Sequence, residues 1–296
     1  MAFAESDPEP KSWLAGFMKS LAELGWTDGR NLSMNVRWAA GNADRMRMFA
    51  KELVDLQPDV ILANSTPVTV SLQRETQTIP IVFVAVSDPV GSGFVAGLPR
   101  PGGNITGFAD AETAMMGKWL ELLTAIAPGV KRIAAMFNPD TASGRGSFFL
   151  PPLEAAARLL KVEVITARVR SDAEIEQIIT SIGHEPGGGL VAIPDGFMVV
   201  HRGAVISQAA RNNVPAVYWQ SIFAKDGGLL SYGPDYLDLF RRAALYVDRI
   251  LNGTKPSDLA VQLPVKFNMA ININTAKGLS LVVPQSILLG ADEVIE

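Results

Sequence analysis

The sequence predicts an α/β protein built as two doubly wound, parallel-sheet (Rossmann-like) lobes. Three observations carry that prediction. Asp59–Ala63 and Ile79–Val86 are Val/Ile-rich runs too short to be helices, the pattern of strands buried on both faces. Each ends in a small polar turn, Asn64-Ser65-Thr66-Pro67 and Ser87-Asp88-Pro89. The unit of strand, polar turn and helix then recurs along both halves of the chain, interrupted by Pro/Gly-rich connections.

Met1–Ala4 reads as the end of a strand. Ser6-Asp7-Pro8-Glu9 opens a helix, with a capping residue, proline in the first turn and an early acid. Trp13, Leu14, Phe17, Met18, Leu21 and Leu24 give this helix one apolar face, and Gly25 ends it. Leu32, Met34, Val36 and Trp38 alternate with polar residues, predicting a half-exposed strand over Asn31–Ala39 near a sheet edge. Asn42 caps a helix that turns Met46, Phe49, Leu53, Val54 and Leu56 inward. Ser65 or Thr66 caps a helix entered through Pro67. The first lobe is thus expected to run β-α-β-α-β-α-β, up to a first crossing at Leu98–Asn104.

The second series begins with a helix over Ala111–Ala127 and a strand over Lys131–Phe137 that ends at Asn138-Pro139. A helix to about Leu160 and a strand over Val162–Val169 follow. Ser171 and Glu174 form a capping box. Leu190–Ile193 is a strand ending at Pro194-Asp195, a helix covers Val199–Arg211, and Val214–Trp219 and Gly227–Tyr232 are strands. Asp235 caps a long helix closed by Gly253, Lys255–Pro264 is a further crossing, and Phe267–Asn274 is a strand before a short helix and tail. The lobes are expected to be 1–105 with 234–263 and 106–233 with 264–296. A ligand cleft is expected between the carboxyl ends of their sheets, with three crossing strands as hinge.

Composition narrows the function classes. The chain has 296 residues, 48% hydrophobic and 19% charged, with a net charge of −4. The acidic balance and the lack of a Lys/Arg cluster argue against nucleic acid as partner. With no cysteine in the chain, disulfides, thiol catalysis and thiolate metal sites are excluded. No run approaches the ~20 apolar residues that span a bilayer.

The words STP, TIPIVF, SDPVGSGFV, PRPGGNITG, GGLLSYGPD and KPSDLAVQLPVKFNMAININTAKGL stand in order along the chain, which closes on ADEVIE. In these the sequence resembles the substrate-binding proteins of an ABC-transporter family with the type I periplasmic-binding-protein fold. The resemblance implies a receptor for small organic solutes, with aromatic or other amino acids expected first. It further implies a periplasmic or otherwise extracytoplasmic location, a membrane permease as partner, a monomer and no cofactor. The opening MAFAESDPEP lacks the basic and apolar regions of a signal peptide, so a targeting segment is expected outside this sequence. The family carries a full strand ahead of this point, so the chain is expected to begin inside its first strand.

Candidate ligand-binding residues follow from strand ends, where open α/β sheets take ligands. Ser65 and Thr66 sit at a helix N-terminus suited to a carboxylate, or are an ordinary cap. Ser87 and Asp88 line the turn after the second strand, Asp88 either receiving a ligand ammonium or starting a turn before Pro89. Asn138 and Asp195 end strands of the second lobe, and Asp195 is the other candidate for the ammonium. Tyr218 and Tyr232 lie at strand ends, to stack on an apolar ligand group or to pack locally. Ser6 lies by the first strand-to-helix turn, while Trp13 belongs to the helix's packing face. Gly91, Gly93 and Gly97 lack the dinucleotide spacing and are expected to let a short helix pack closely. His184 and His201 have no spaced metal ligands, and there is no nucleophile elbow or phosphate loop, so neither a catalytic nor a metal site is expected. The reading is a hinged receptor for a zwitterionic amino acid. The alternatives are a ligand-sensing domain of a signalling or regulatory system, or a doubly wound enzyme.

Overall fold

The structure is a computed structural model that describes all of residues 1–296. The chain divides into two compact units, 1–111 with 235–266 (unit 1) and 112–234 with 267–296 (unit 2). None of its helices is long and apolar enough to cross a membrane.

Unit 1 opens with α1 (Pro8–Glu23), whose N-cap is Asp7 and whose first residue is the proline, as expected. Trp13, Phe17 and Leu21 are its buried stripe. The expected strand over Asn31–Ala39 does not form: exposure alternates along it as foreseen, but no strand lies alongside to complete a ladder. α2 (Ala43–Asp55) starts where expected, Asn42 accepting from the Arg45 N–H. It buries Met46 and Ala50, while Leu56, expected inward, is 53% exposed just past its last turn. β1 (Ile61–Asn64), α3 (Thr66–Glu75), β2 (Ile81–Val86) and β3 (Ile105–Ala109) complete this part. The three strands pair in parallel in the order β1-β2-β3. Every residue of β2 is buried, the reason the segment reads as an unbroken apolar run. Leu98–Asn104 is not a crossing between units: it returns the chain from β2 to β3 of the same sheet. Gly107 in β3 has φ +153, and a Cβ there would fall 2.1 Å from the Phe83 carbonyl oxygen, so the strand needs glycine at this point.

Unit 2 continues with α4 (Ala114–Ile126), β4 (Arg132–Phe137), α5 (Leu150–Leu160), β5 (Glu163–Arg168), α6 (Asp172–His184), β6 (Gly188–Ala192), α7 (Gly196–Val200), α8 (Arg202–Arg211), β7 (Ala216–Tyr218), α9 (Ser221–Lys225) and β8 (Leu230–Pro234). Ser171 accepts from the Glu174 N–H, as a capping box requires, but the Glu174 carboxylate reaches back one residue further, to the Arg170 N–H. The single helix expected over Val199–Arg211 is two helices that break at His201.

The chain returns to unit 1 in α10 (Tyr236–Leu251), capped by Asp235, which accepts from the Asp238 N–H. Tyr236, Leu239, Phe240, Ala243, Val247 and Ile250 recur at helical spacing and are buried, and Trp13 of α1 packs its ring on Tyr236 and Phe240. The segment after α10 runs beside β3, where the Gln262 N–H donates to Gly107 O and Gln262 O accepts from the Ala109 N–H. The last stretch, in unit 2, is β9 (Phe267–Asn272), α11 (Ile273–Gly278), α12 (Gln285–Gly290) and β10 (Glu293–Ile295). Its seven-stranded sheet runs β10-β9-β8-β7-β6-β4-β5, parallel throughout except for the antiparallel pair β8–β9. The two sheets are therefore unequal, three paired strands against seven.

Candidate functional site

In unit 1 the carboxyl ends of three adjacent parallel strands carry Asn64 and Ser65 after β1, Ser87 and Asp88 after β2, and Asp110 after β3. The backbone is strained here. Ser65 has φ +86, and Ala85, at a register shift between β2 and β3, has φ +64. Non-glycine residues held at positive φ cluster at functional sites, where the surrounding structure sustains the strain. The bulge at Ala85 re-aims the chain that carries Ser87.

Polar groups in this cluster are buried beyond what unit 1 itself satisfies. Ser65 is the N-cap of α3, yet its hydroxyl makes no cap bond and is buried without a partner. Its backbone is held by N–H donation to Val84 O and by the Thr69 hydroxyl bonding its carbonyl. Asn64 accepts from the Ala2 N–H through Oδ1, and its Nδ2 is buried without a partner. Asp110 is 6% exposed: Oδ2 accepts from the Tyr236 hydroxyl at 3.1 Å, the Ser87 side chain also bonds the carboxylate, and Oδ1 is buried without a partner. Burial pushes the Asp110 carboxyl above the usual carboxylate range, against the bonds from Ser87, Tyr236 and its own backbone N–H. Each unmet buried group costs about 1–3 kcal/mol, so a cluster of them at strand ends marks demand that a bound molecule would satisfy.

Sequence reasoning missed Asp110, and the chain offers a reason. Nothing around Gly-Phe-Ala-Asp-Ala separates it from an ordinary loop acid. Its importance comes from the parallel ladder that sets β3 beside β2 and from Tyr236, 126 residues away, whose hydroxyl holds it. Asp88, the acid that reasoning favoured here, behaves as a turn residue: its Oδ1 accepts from the Gly91 N–H at 2.8 Å. The Gly91–Gly97 stretch holds no short helix but a run of turns, with Gly93 at φ +71. Ser6 lies exposed in the turn before α1, and Thr66 is half-buried in the first turn of α3.

In unit 2, Asn138 follows β4 and Asp195 follows β6, both buried. Asp195 is fully engaged: Oδ1 accepts from the Met198 N–H (2.7 Å) and the Thr141 hydroxyl (3.1 Å), Oδ2 accepts from the Asn138 N–H (2.8 Å), and the Phe197 N–H also bonds the carboxylate. It caps α7 and ties that helix to the turn after β4. Burial pushes its carboxyl up to about 7, opposed by these four donors. Asn138 Oδ1 accepts from the Asp140 N–H, closing the same turn. Tyr218 is 1% exposed, stacked on Phe223, and burial raises its hydroxyl. Tyr232 is half-buried, stacked on Phe267 at 5.6 Å, and its hydroxyl is raised by burial and by the charges of Glu112 and Asp292. Gln220 after β7 and Ser231 in β8 each bury an oxygen without a partner.

Comparison with known proteins gives this site a context. Residues 4–295 match a family model described as ABC transporter substrate binding protein. A tyrosine-binding protein from Clostridioides difficile (strain R20291) is 28% identical over 267 residues, covering 90% of this chain and 76% of that protein. Two solved structures superpose on the chain with a TM-score of 0.90 over 99% of it and 97% of each of theirs. One is an ABC domain from Streptococcus pneumoniae in complex with L-Trp, 26% identical. The other is a conserved domain protein from Vibrio cholerae O1 biovar El Tor, 28% identical.

Proposed function

Since the chain belongs to the ABC transporter substrate-binding protein family, we propose that it is the solute receptor of an ABC importer and that its ligand is an amino acid with an aromatic or other apolar side chain. The observation that carries the ligand class is the pairing, within unit 1, of a buried carboxylate with a free oxygen and a helix N-terminus with a free hydroxyl. Asp110 Oδ1 offers an acceptor to an ammonium group. Ser65 Oγ and the N-terminal end of α3 offer donors and a positive dipole to a carboxylate, with Thr66 beside them. A zwitterion answers both needs at once. Relatives that bind tyrosine and L-Trp support the same class.

On this reading Ser87 positions the Asp110 carboxylate, and Asn64 adds a donor through its free Nδ2. In unit 2, Asp195 holds the turn that carries Asn138, a role in local structure. Asp88 and Tyr218 act in local structure, the one in a turn and the other in the core. The protein makes and breaks no bond in its ligand, works as an extracytoplasmic monomer, and hands the ligand to a membrane permease.

The test is native mass spectrometry of the purified protein before and after denaturing removal of bound solute, followed by thermal-shift screening of amino acids and small carboxylates. A co-purified mass restored by one amino acid, with a rise in unfolding temperature, is the expected result. No adduct and no shift across the amino acids would overturn the ligand assignment.

A further inference from the structure

Tyr236 is the first residue of α10, and it is held from two sides. Asp235, the residue before it, caps the helix by accepting from the Asp238 N–H and donates its own N–H to Lys266 O at 3.0 Å, which fixes the backbone at the helix start. The Tyr236 ring is 6% exposed and lies stacked on Trp13 of α1, with centroids 5.0 Å apart and planes 22° from parallel. Trp13 is itself held edge-on by Phe3 at 5.3 Å and tilted against Phe240, one turn further along α10, at 5.8 Å. A ring enclosed in this way has little rotamer freedom, so its hydroxyl stands at a fixed point. That point is 3.1 Å from Asp110 Oδ2.

The aromatic stack does not need that hydroxyl. Phenylalanine at 236 would fill the same space against Trp13 and Phe240, and it would leave Asp110 without this donor. The hydroxyl therefore acts on the carboxylate. An Asp side chain turns freely about its own bonds, and a donor on Oδ2 makes its two oxygens unequal: one is tied down, and the other, Oδ1, is buried with no partner. Burial and three hydrogen bonds, from Ser87, Tyr236 and the Asp110 N–H, are the influences on this carboxyl, and no neighbouring charge is among them. The bonds favour the charged form and burial opposes it. The same bond closes a long excursion of chain, because Asp110 stands just before the chain leaves unit 1 and Tyr236 just after it returns.

We propose that Tyr236 is a positioning residue for the ammonium site: its hydroxyl, immobilised by the aromatic stack of α1 and α10, fixes which oxygen of Asp110 meets the ligand and holds that carboxylate in its charged form. The proposal rests on the reading of Asp110 as the ammonium acceptor. Tyr236 does not touch the solute. It acts through Asp110, so its contribution falls on the amino group alone, and a solute that lacks the amino group gains nothing from it.

Two measurements on Tyr236→Phe test this, and the first needs no ligand. The Asp110 side-chain carboxyl of the ligand-free protein is followed by carbon NMR across the pH range, with Asp110→Asn to assign its signal. In Tyr236→Phe it should titrate at a clearly higher pH than in the parent, because a bond to the charged form is gone. In the second, calorimetry compares L-tyrosine with 3-(4-hydroxyphenyl)propionate. Tyr236→Phe should weaken binding of the amino acid about tenfold and change binding of the deaminated analogue less than about twofold. A parent that prefers tyrosine, together with an unmoved titration or an equal loss for both solutes in Tyr236→Phe, would overturn this proposal alone. A parent that treats the two solutes alike would overturn the assignment of Asp110, and this proposal with it.

Discussion

Asp110 and Asp195 are both buried carboxylates just past the carboxyl end of a parallel strand, one in each unit. From the sequence only Asp195 stands out, as an acid at a strand end, while Asp110 reads as a loop acid. Their surroundings differ as well. Four donors from its own unit surround Asp195, whereas Asp110 has three, one of them its own backbone N–H, and keeps one oxygen bare. Burial of an acid is thus not by itself evidence of a ligand contact. The number of lone pairs left over separates an acid that holds the protein together from one that waits for a cation.

That contrast is sharpest under substitution. The largest effect is expected from Asp110→Asn, which keeps shape and removes charge: affinity for the amino acid should fall at least about 100-fold by calorimetry, as for other broken buried charge pairs. The unfolding midpoint of the ligand-free protein should hold or rise, because a costly buried carboxyl is gone. Asp195→Ala should do the reverse. Stripping four donors of their acceptor should lower the unfolding free energy by about 2–3 kcal/mol in urea, while the folded fraction binds ligand within about threefold of the parent.

Acidity offers a third way to break the comparison. The Asp110 carboxyl lies above the ordinary range, so a proton competes with the ligand ammonium and affinity should weaken as pH falls through that raised value. Ligand-free stability should move the opposite way. The folded state holds the proton more tightly than the unfolded one, so this contribution is present at low pH and lost as pH rises from about 4 through the raised value. In Asp110→Asn the affinity trend should vanish by calorimetry, and the stability trend in urea should shrink to the part that Asp195, itself raised to about 7, contributes. The smallest effects are expected from residues that the proposed site does not use. Tyr218→Phe should cost less than about 1 kcal/mol of stability, Ser6→Ala less than about 0.5 kcal/mol, and neither should shift affinity.

Most of the architecture was legible because it rests on local signals. The apolar run of β2, the Asn42, Ser171 and Asp235 caps, and the amphipathic stripe of α10 each declare themselves within one element. What failed depends on partners. Leu32–Trp38 has the alternation of a strand and lacks a neighbour to pair with, so periodicity alone overstated it. Leu98–Asn104 has the composition of a crossing, but the β2–β3 ladder keeps it within one sheet. For the candidate site, the polar turns at the strand ends are legible in the chain, while Asp110, the acid proposed here as the ammonium acceptor, is not marked by any local pattern. Asp88 and Asp195 sit in conspicuous turns, where Asp88 Oδ1 takes the Gly91 N–H and Asp195 takes four donors. Asp110 is set in place by Tyr236 across 126 residues of chain, a relation no local pattern carries.

The most direct test of Asp110 as the ammonium acceptor compares tyrosine with its deaminated analogue, 3-(4-hydroxyphenyl)propionate, by calorimetry on the parent protein, Asp110→Asn and Asp195→Asn. The account predicts that the parent and Asp195→Asn prefer the amino acid by about 100-fold, and that Asp110→Asn scarcely distinguishes the two. An undiminished preference in Asp110→Asn, or its loss in Asp195→Asn instead, would contradict it.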